Sequence, residues 1–178
     1  YVYVSFGSFL SVRADVLARV VAALRELGLR AAIALGSAPV ADLGEIPQSW
    51  LVAEFLPQVT LLANASAAVT HGGNNSVTEA MTYGVPLLVL PFSTDQFAGA
   101  TAIDDSGFGI SLDPNLADVE ALAAAITGIM SLPTPAASRL AVLAASLRST
   151  PGRERAYRAI SAATALTVSE HEKPDNRH

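Results

Sequence analysis

Short apolar runs alternate along this chain with segments of helical periodicity, and few folds accept that alternation. Val2, Val4 and Phe6 read as a strand that ends in a turn at Gly7-Ser8. Leu17, Val20, Val21, Leu24 and Leu27 then recur at helical spacing, with Asp15 near the start and Gly28 where a C-terminal cap belongs. Ala31 to Leu35 is an apolar run bounded by Gly36, the signature of a strand buried on both faces. The pattern repeats as Trp50 to Phe55 (strand), Val59 to Ala63 (helix), Ala67 to Thr70 (strand), Ser76 to Tyr83 (helix), Leu87 to Leu90 (strand), Gln96 to Asp105 (helix) and Gly109 to Leu112 (strand). Helices around Val119 to Ile129, Leu140 to Leu147 and Arg155 to Leu166 complete it. Such an order predicts an α/β domain, a Rossmann-like parallel sheet flanked by helices, with ligands at the carboxyl ends of the strands. At 178 residues one domain is expected, over 1–168, followed by a polar tail from Ser169 to His178.

Charge placement narrows the function. From Ala31 to Ser138 there is no lysine or arginine, while ten acidic residues fall in that stretch. The net charge is −5, which disfavours nucleic acid as a partner. A Walker loop needs a lysine after its glycines, so a P-loop nucleotidase is excluded. The dinucleotide fingerprint is also missing, since Gly107-Phe108-Gly109 continues into Ile110, Ser111 and Leu112. There is no cysteine, which removes disulfides and thiolate chemistry. The apolar runs, such as Val85 to Leu90 with proline at Pro86, are too short to span a bilayer, and a soluble, cytoplasmic protein is expected. The chain opens on Tyr1 within a strand pattern and is read as a piece of something longer.

The informative segment is Thr70-His71-Gly72-Gly73-Asn74-Asn75-Ser76-Val77-Thr78-Glu79-Ala80, which passes from a buried strand through a glycine turn into a helix. Adjacent glycines let the backbone approach a ligand closely, and a helix N-terminus offers unpaired amides and about half a positive charge. Together they can hold a diphosphate without a basic side chain, with His71 as a further donor. The local pattern leaves other readings open. Ser76 and Glu79 also make an S-x-x-E capping box, Asp95 can be a helix N-cap, and His71 can be a satisfied interior histidine.

These residues, with Phe55-Leu56-Pro57-Gln58 before them and Gly84-Val85-Pro86, Pro91 and Asp95-Gln96 after, closely resemble the donor-binding signature of glycosyltransferase family 1. That family comprises UDP-sugar-dependent transferases of GT-B fold, and the resemblance runs over essentially the whole chain. It implies the C-terminal, donor-binding half, with a UDP-sugar and a small-molecule acceptor as partners, no membrane span and no required metal or other cofactor. By resemblance, Phe55 stacks on the uracil, the Leu56 main chain reads its edge, and Gln58 lies near the ribose. Glu79 accepts from the ribose hydroxyls, which favours UDP over dTDP donors. Ser8, His71, the Gly73 amide, Asn75 and Ser76 surround the diphosphate, while Asp95 and Gln96 hold the sugar with Asn74 beside it. Members commonly carry D-Q-x-x-N-A, and here Gly99 stands in place of that asparagine.

The resemblance further implies inverting displacement at the anomeric carbon, with the acceptor hydroxyl deprotonated by a base in the N-terminal acceptor domain. No catalytic base is therefore expected in this chain, and His71 is expected to stabilise the leaving diphosphate. The segment alone is expected to bind donor without turnover. Two other readings are a UDP-sugar epimerase of the same architecture and a non-catalytic nucleotide-sugar-binding partner. All of them require His71 and the amides around Gly73 to face a cleft rather than the interior.

Overall fold

The computed structural model describes residues 1–7, 13–149 and 152–171, with no side-chain detail at 94 or 164–171. Ser8 and residues 172–178 of the expected tail lie outside the described residues. Six strands form one parallel sheet: Val2–Ser5 (β1), Ala31–Ala34 (β2), Leu51–Ala53 (β3), Ala67–Thr70 (β4), Leu87–Val89 (β5) and Gly109–Ser111 (β6). Their order is β3-β2-β1-β4-β5-β6. β1 lies between β2 and β4, with Val2 beside both Ala31 and Ala67 and Ser5 beside Ala34 and Thr70.

Helices cover both faces: Ala14–Glu26 (α1), Gln58–Leu62 (α2), Asn74–Tyr83 (α3), Thr94–Ser106 (α4), Val119–Met130 (α5), Thr134–Ser149 (α6) and Gly152–His171 (α7). A 3-10 turn at Val40–Leu43 stands between β2 and β3. Successive strand side chains point to opposite faces, which divides the core in two. Val2, Val4 and Phe6 pack with Val20 and Leu24 of α1 and Leu122 and Ile126 of α5. Tyr3, Leu87 and Val89 pack on the other face with Met81 of α3, Ile103 of α4 and Leu140 of α6. Because strands bury both faces, they read as continuous apolar runs in the sequence. Among the described residues no single helix is long and apolar enough to cross a membrane.

Gly28 ends α1 as its position predicts. It takes φ +64°, its amide bonds to the Arg25 carbonyl, and the Leu29 amide reaches back to the Leu24 carbonyl. Helix starts depart from expectation. α3 begins at Asn74 rather than Ser76, α4 at Thr94 rather than Gln96, and α6 at Thr134 rather than Leu140. First turns rich in Asn, Thr and Ser carry no apolar periodicity, so the repeating pattern starts late. At the other end α7 continues through His171, past the point where a polar tail was expected to begin.

Candidate functional site

The order of the sheet reverses direction between β1 and β4, and the crevice outside those two carboxyl ends is where open α/β sheets bind ligands. β1 runs into Phe6-Gly7 and β4 into His71-Gly72-Gly73 at that edge. A cleft opens there in two compartments that share Gly7 and Ser76. The first holds about 400 Å³ and is lined by Tyr3, Phe55, Leu56, Gln58 and Glu79 among others. The second holds about 510 Å³ and is lined by His71, Gly73, Asn74, Asn75, Asp95 and Gln96 among others. Every site residue named from sequence, Ser8 excepted, thus lines one continuous cleft. Tyr3, Gly7 and Ser93 also line it and were not singled out. The alternating strand pattern was the only sign that Tyr3 leaves the face used by Val2 and Val4.

In the first compartment Phe55 stands 69% exposed, an apolar ring offered to the opening. Gln58 begins α2, and its amide nitrogen donates to Glu79 Oε2 at 2.7 Å and to Ser76 Oγ at 3.4 Å. Its Oε1 accepts from the Tyr3 hydroxyl at 3.3 Å. Burial raises the Tyr3 phenol above its ordinary range, with the Ser5 hydrogen bond opposing and Glu79 adding, so Tyr3 remains a neutral donor. This network overturns the capping-box reading. With α3 starting at Asn74 and Gly73 at its N-cap, Glu79 lies beyond the first turn, and both Ser76 and Glu79 turn toward Gln58.

The second compartment is built around the start of α3. Gly73 supplies no capping side chain, so the first-turn amides of the helix are not closed off by their own N-cap. The His71 ring packs between two glycines: a Cβ on Gly7 would lie 3.0 Å from Cε1, and one on Gly73 only 2.5 Å from Nε2. His71 Nδ1 lies 3.4 Å from Thr70 Oγ1. Burial lowers the imidazole pKa below the ordinary histidine value, opposed by Asp95 and by the Ser5 main chain. The ring is therefore a neutral hydrogen-bonding group at pH 7.

Across the compartment, α4 presents Asp95 and Gln96. Asp95 is not the N-cap. Ser93 occupies that position, and its hydroxyl donates to Asp95 Oδ1 at 3.0 Å. Gln96, only 4% exposed, turns its Oε1 back to the amides of Phe92 at 2.7 Å and Ser93 at 3.2 Å. Beside the cleft, Phe6 and Phe92 meet edge to face at 5.2 Å, and the Arg13 guanidinium lies over Phe92. Among the described residues no group of three or more His, Asp or Glu is placed to hold a metal ion.

Residues 18–162 match the family described as erythromycin biosynthesis protein CIII-like, C-terminal domain. The chain belongs to this family. Relatives of this EryCIII-like domain include the NDP-glycosyltransferase YjiC of Bacillus subtilis (strain 168), 32% identical over 68% of this chain and 31% of the relative. Another is the erythronolide mycarosyltransferase of Saccharopolyspora erythraea, 30% identical over 72% of this chain and 30% of the relative. Among solved structures, the kitacinnamycin glycotransferase superposes with a TM-score of 0.81 at 29% identity, covering 90% of this chain and 42% of that one. The EryCIII-like domain thus has the Rossmann-like architecture of a GT-B glycosyltransferase half. It spans less than half the length of each of these proteins.

Proposed function

We propose that this domain holds the nucleoside diphosphate of a UDP-sugar and orients the sugar for inverting transfer of a hexosyl group to a hydroxyl of a small-molecule acceptor. The observation that carries the reading is the start of α3. Uncapped first-turn amides and a neutral imidazole line a cleft at the point where strand order reverses, in a stretch with no basic side chain from Ala31 to Ser138. An anion of fixed geometry fits such a site, because main-chain donors and the helix dipole act without a cation.

The two compartments suit the two ends of the donor. Uracil would stack on Phe55 beside the Leu56 main chain, and Gln58 and Glu79 would meet the ribose, a carboxylate being able to accept from two neighbouring hydroxyls. His71, the Gly73 amide, Asn75 and Ser76 would take the diphosphate. Asn74, Asp95 and Gln96 would face the sugar. As the sugar–phosphate bond breaks, charge gathers on the β-phosphate, and preorganised amides with His71 stabilise that charge more than they stabilise the intact donor. No metal enters this scheme. The acceptor and the base that deprotonates it belong to the remainder of a longer protein, and the names of the relatives support a natural-product hydroxyl as acceptor.

Calorimetric titration of the domain with UDP and with uridine tests this. UDP binds at least about tenfold more tightly than uridine, the worth of one or two charge-assisted hydrogen bonds, and His71→Ala weakens UDP while leaving uridine nearly unchanged. Equal affinity for both ligands, or equal loss in the variant, removes the phosphates from His71. The domain alone transfers no sugar; transfer at the rate of an intact enzyme would show that the chemistry is carried here.

A further inference from the structure

Glycine is the poorest helix former after proline, and Gly99 lies in the body of α4. Its place there has a packing cause. A Cβ on Gly99 would fall 2.5 Å from the carbonyl oxygen of Gly72, closer than real side chains come to a backbone oxygen. Gly72 is itself enclosed. It takes φ +87°, and a Cβ on it would meet Val89 Cγ1 at 2.7 Å and the Gln96 carbonyl oxygen at 3.1 Å. Two glycines from different elements therefore bring α4 into backbone contact with the loop between β4 and α3. That contact joins the two walls of the second compartment: His71 and Gly73 are on the loop, Asp95 and Gln96 on the first turn of α4. Gly99 does not line the compartment.

We propose that Gly99 is a positioning residue that sets the separation of these walls, and with it the fit of the sugar end of the donor. The proposal rests on the UDP-sugar reading above. A methyl group at 99 cannot be absorbed by a flexible side chain, because the atom it meets is the main-chain carbonyl oxygen of Gly72. α4 must instead move away from the loop by the better part of an ångström. Asp95 and Gln96 move with it, while Phe55, Gln58 and Glu79 line the first compartment alone and stay. Misplacement on that scale is enough to spoil alignment of a bound group.

The test compares UDP with UDP-glucose on the wild-type chain and on Gly99→Ala, with the circular dichroism spectrum and melting temperature of each. Alanine favours helix, so a purely local role predicts an unchanged or more stable protein with both affinities kept. The proposal predicts instead that UDP binds within about twofold of wild type while UDP-glucose weakens about tenfold. Equal losses for the two ligands, or none, overturn it. A wild-type chain that binds UDP with an unaltered ligand ratio in the variant leaves the donor reading standing and sinks only Gly99. A wild-type chain that binds neither ligand sinks both. Should the variant fail to fold, the wild type still decides: the Gly99 amide resonance shifts on adding UDP-glucose although the residue lies outside the cleft lining, and a stationary resonance overturns the proposal.

Discussion

The Gln58 amide nitrogen donates to Glu79 Oε2 at 2.7 Å, joining the start of α2 to the middle of α3 across the first compartment. The bond holds one carboxylate oxygen and orients the other. Glu79→Ala is expected to weaken UDP by about 10-fold or more, in line with the 1.5–3 kcal/mol of a hydrogen bond to a charged group. The same change costs 2′-deoxy-UDP less, because only its 3′-hydroxyl is left to donate to the carboxylate. Titration of both nucleotides checks this, and a parallel loss for the two would show that Glu79 does not meet the 2′-hydroxyl.

Gly73→Ala isolates the imidazole. Gly73 has φ −61°, so alanine meets no backbone strain, but its methyl would stand 2.5 Å from His71 Nε2. The ring must turn aside. The fold should survive with a melting temperature near wild type, while UDP affinity falls about tenfold, the scale of one displaced hydrogen bond. Unchanged affinity in calorimetry would place the phosphates away from the ring.

Burial holds the His71 pKa below that of an exposed histidine, so between the folded value and about 6.5 the unfolded chain carries more protons than the folded one. Stability contributed by the neutral ring is full above the unfolded value and is lost as pH falls through that window. Thermal melts from pH 8 to pH 5 should show a decline that His71→Gln reduces. A diphosphate beside the ring favours its protonated form, so UDP binding near pH 6 takes up a fraction of a proton. Calorimetry in PIPES and in Bis-Tris reads this uptake directly, and identical heats in the two buffers would exclude it.

The sheet's support is tested in the core. Ile126 of α5 is fully buried against the β1 side of the sheet. Ile126→Ala should cost about 2–5 kcal/mol in urea unfolding, as large-to-small core changes do. A cost below about 1 kcal/mol would mean that α5 does not close this face.

Much of the fold is legible because buried parallel strands leave short apolar runs bounded by turn residues: Ala67–Thr70 is read from sequence with its observed bounds. Gly28 is legible because the turn chemistry is local. The start of α3 is not. Ser76 and Glu79 have the spacing of a capping box, and only a residue from a different helix, Gln58, decides where their side chains go. Gln96 is the opposite case: Ser93 and Gln96 form the S-x-x-Q capping box of α4, a local spacing, and the Gln96 side chain answers to the amides of Phe92 and Ser93. Gly99 looks in sequence like a lost asparagine, and its meaning lies in a carbonyl contributed by another element. What is missed at Ser76, Glu79 and Gly99 is a contact between segments, which no local spacing encodes.

The unprotected first turn of α3 bears on how such a domain can diversify. Peptide amides are the same whatever residue carries them, so exchanges at Asn74 or Asn75 leave the anchoring dipoles intact, and only proline or a blocked glycine would erase them. On the proposed reading, substrate preference can therefore drift through the neighbouring side chains while the anchor persists.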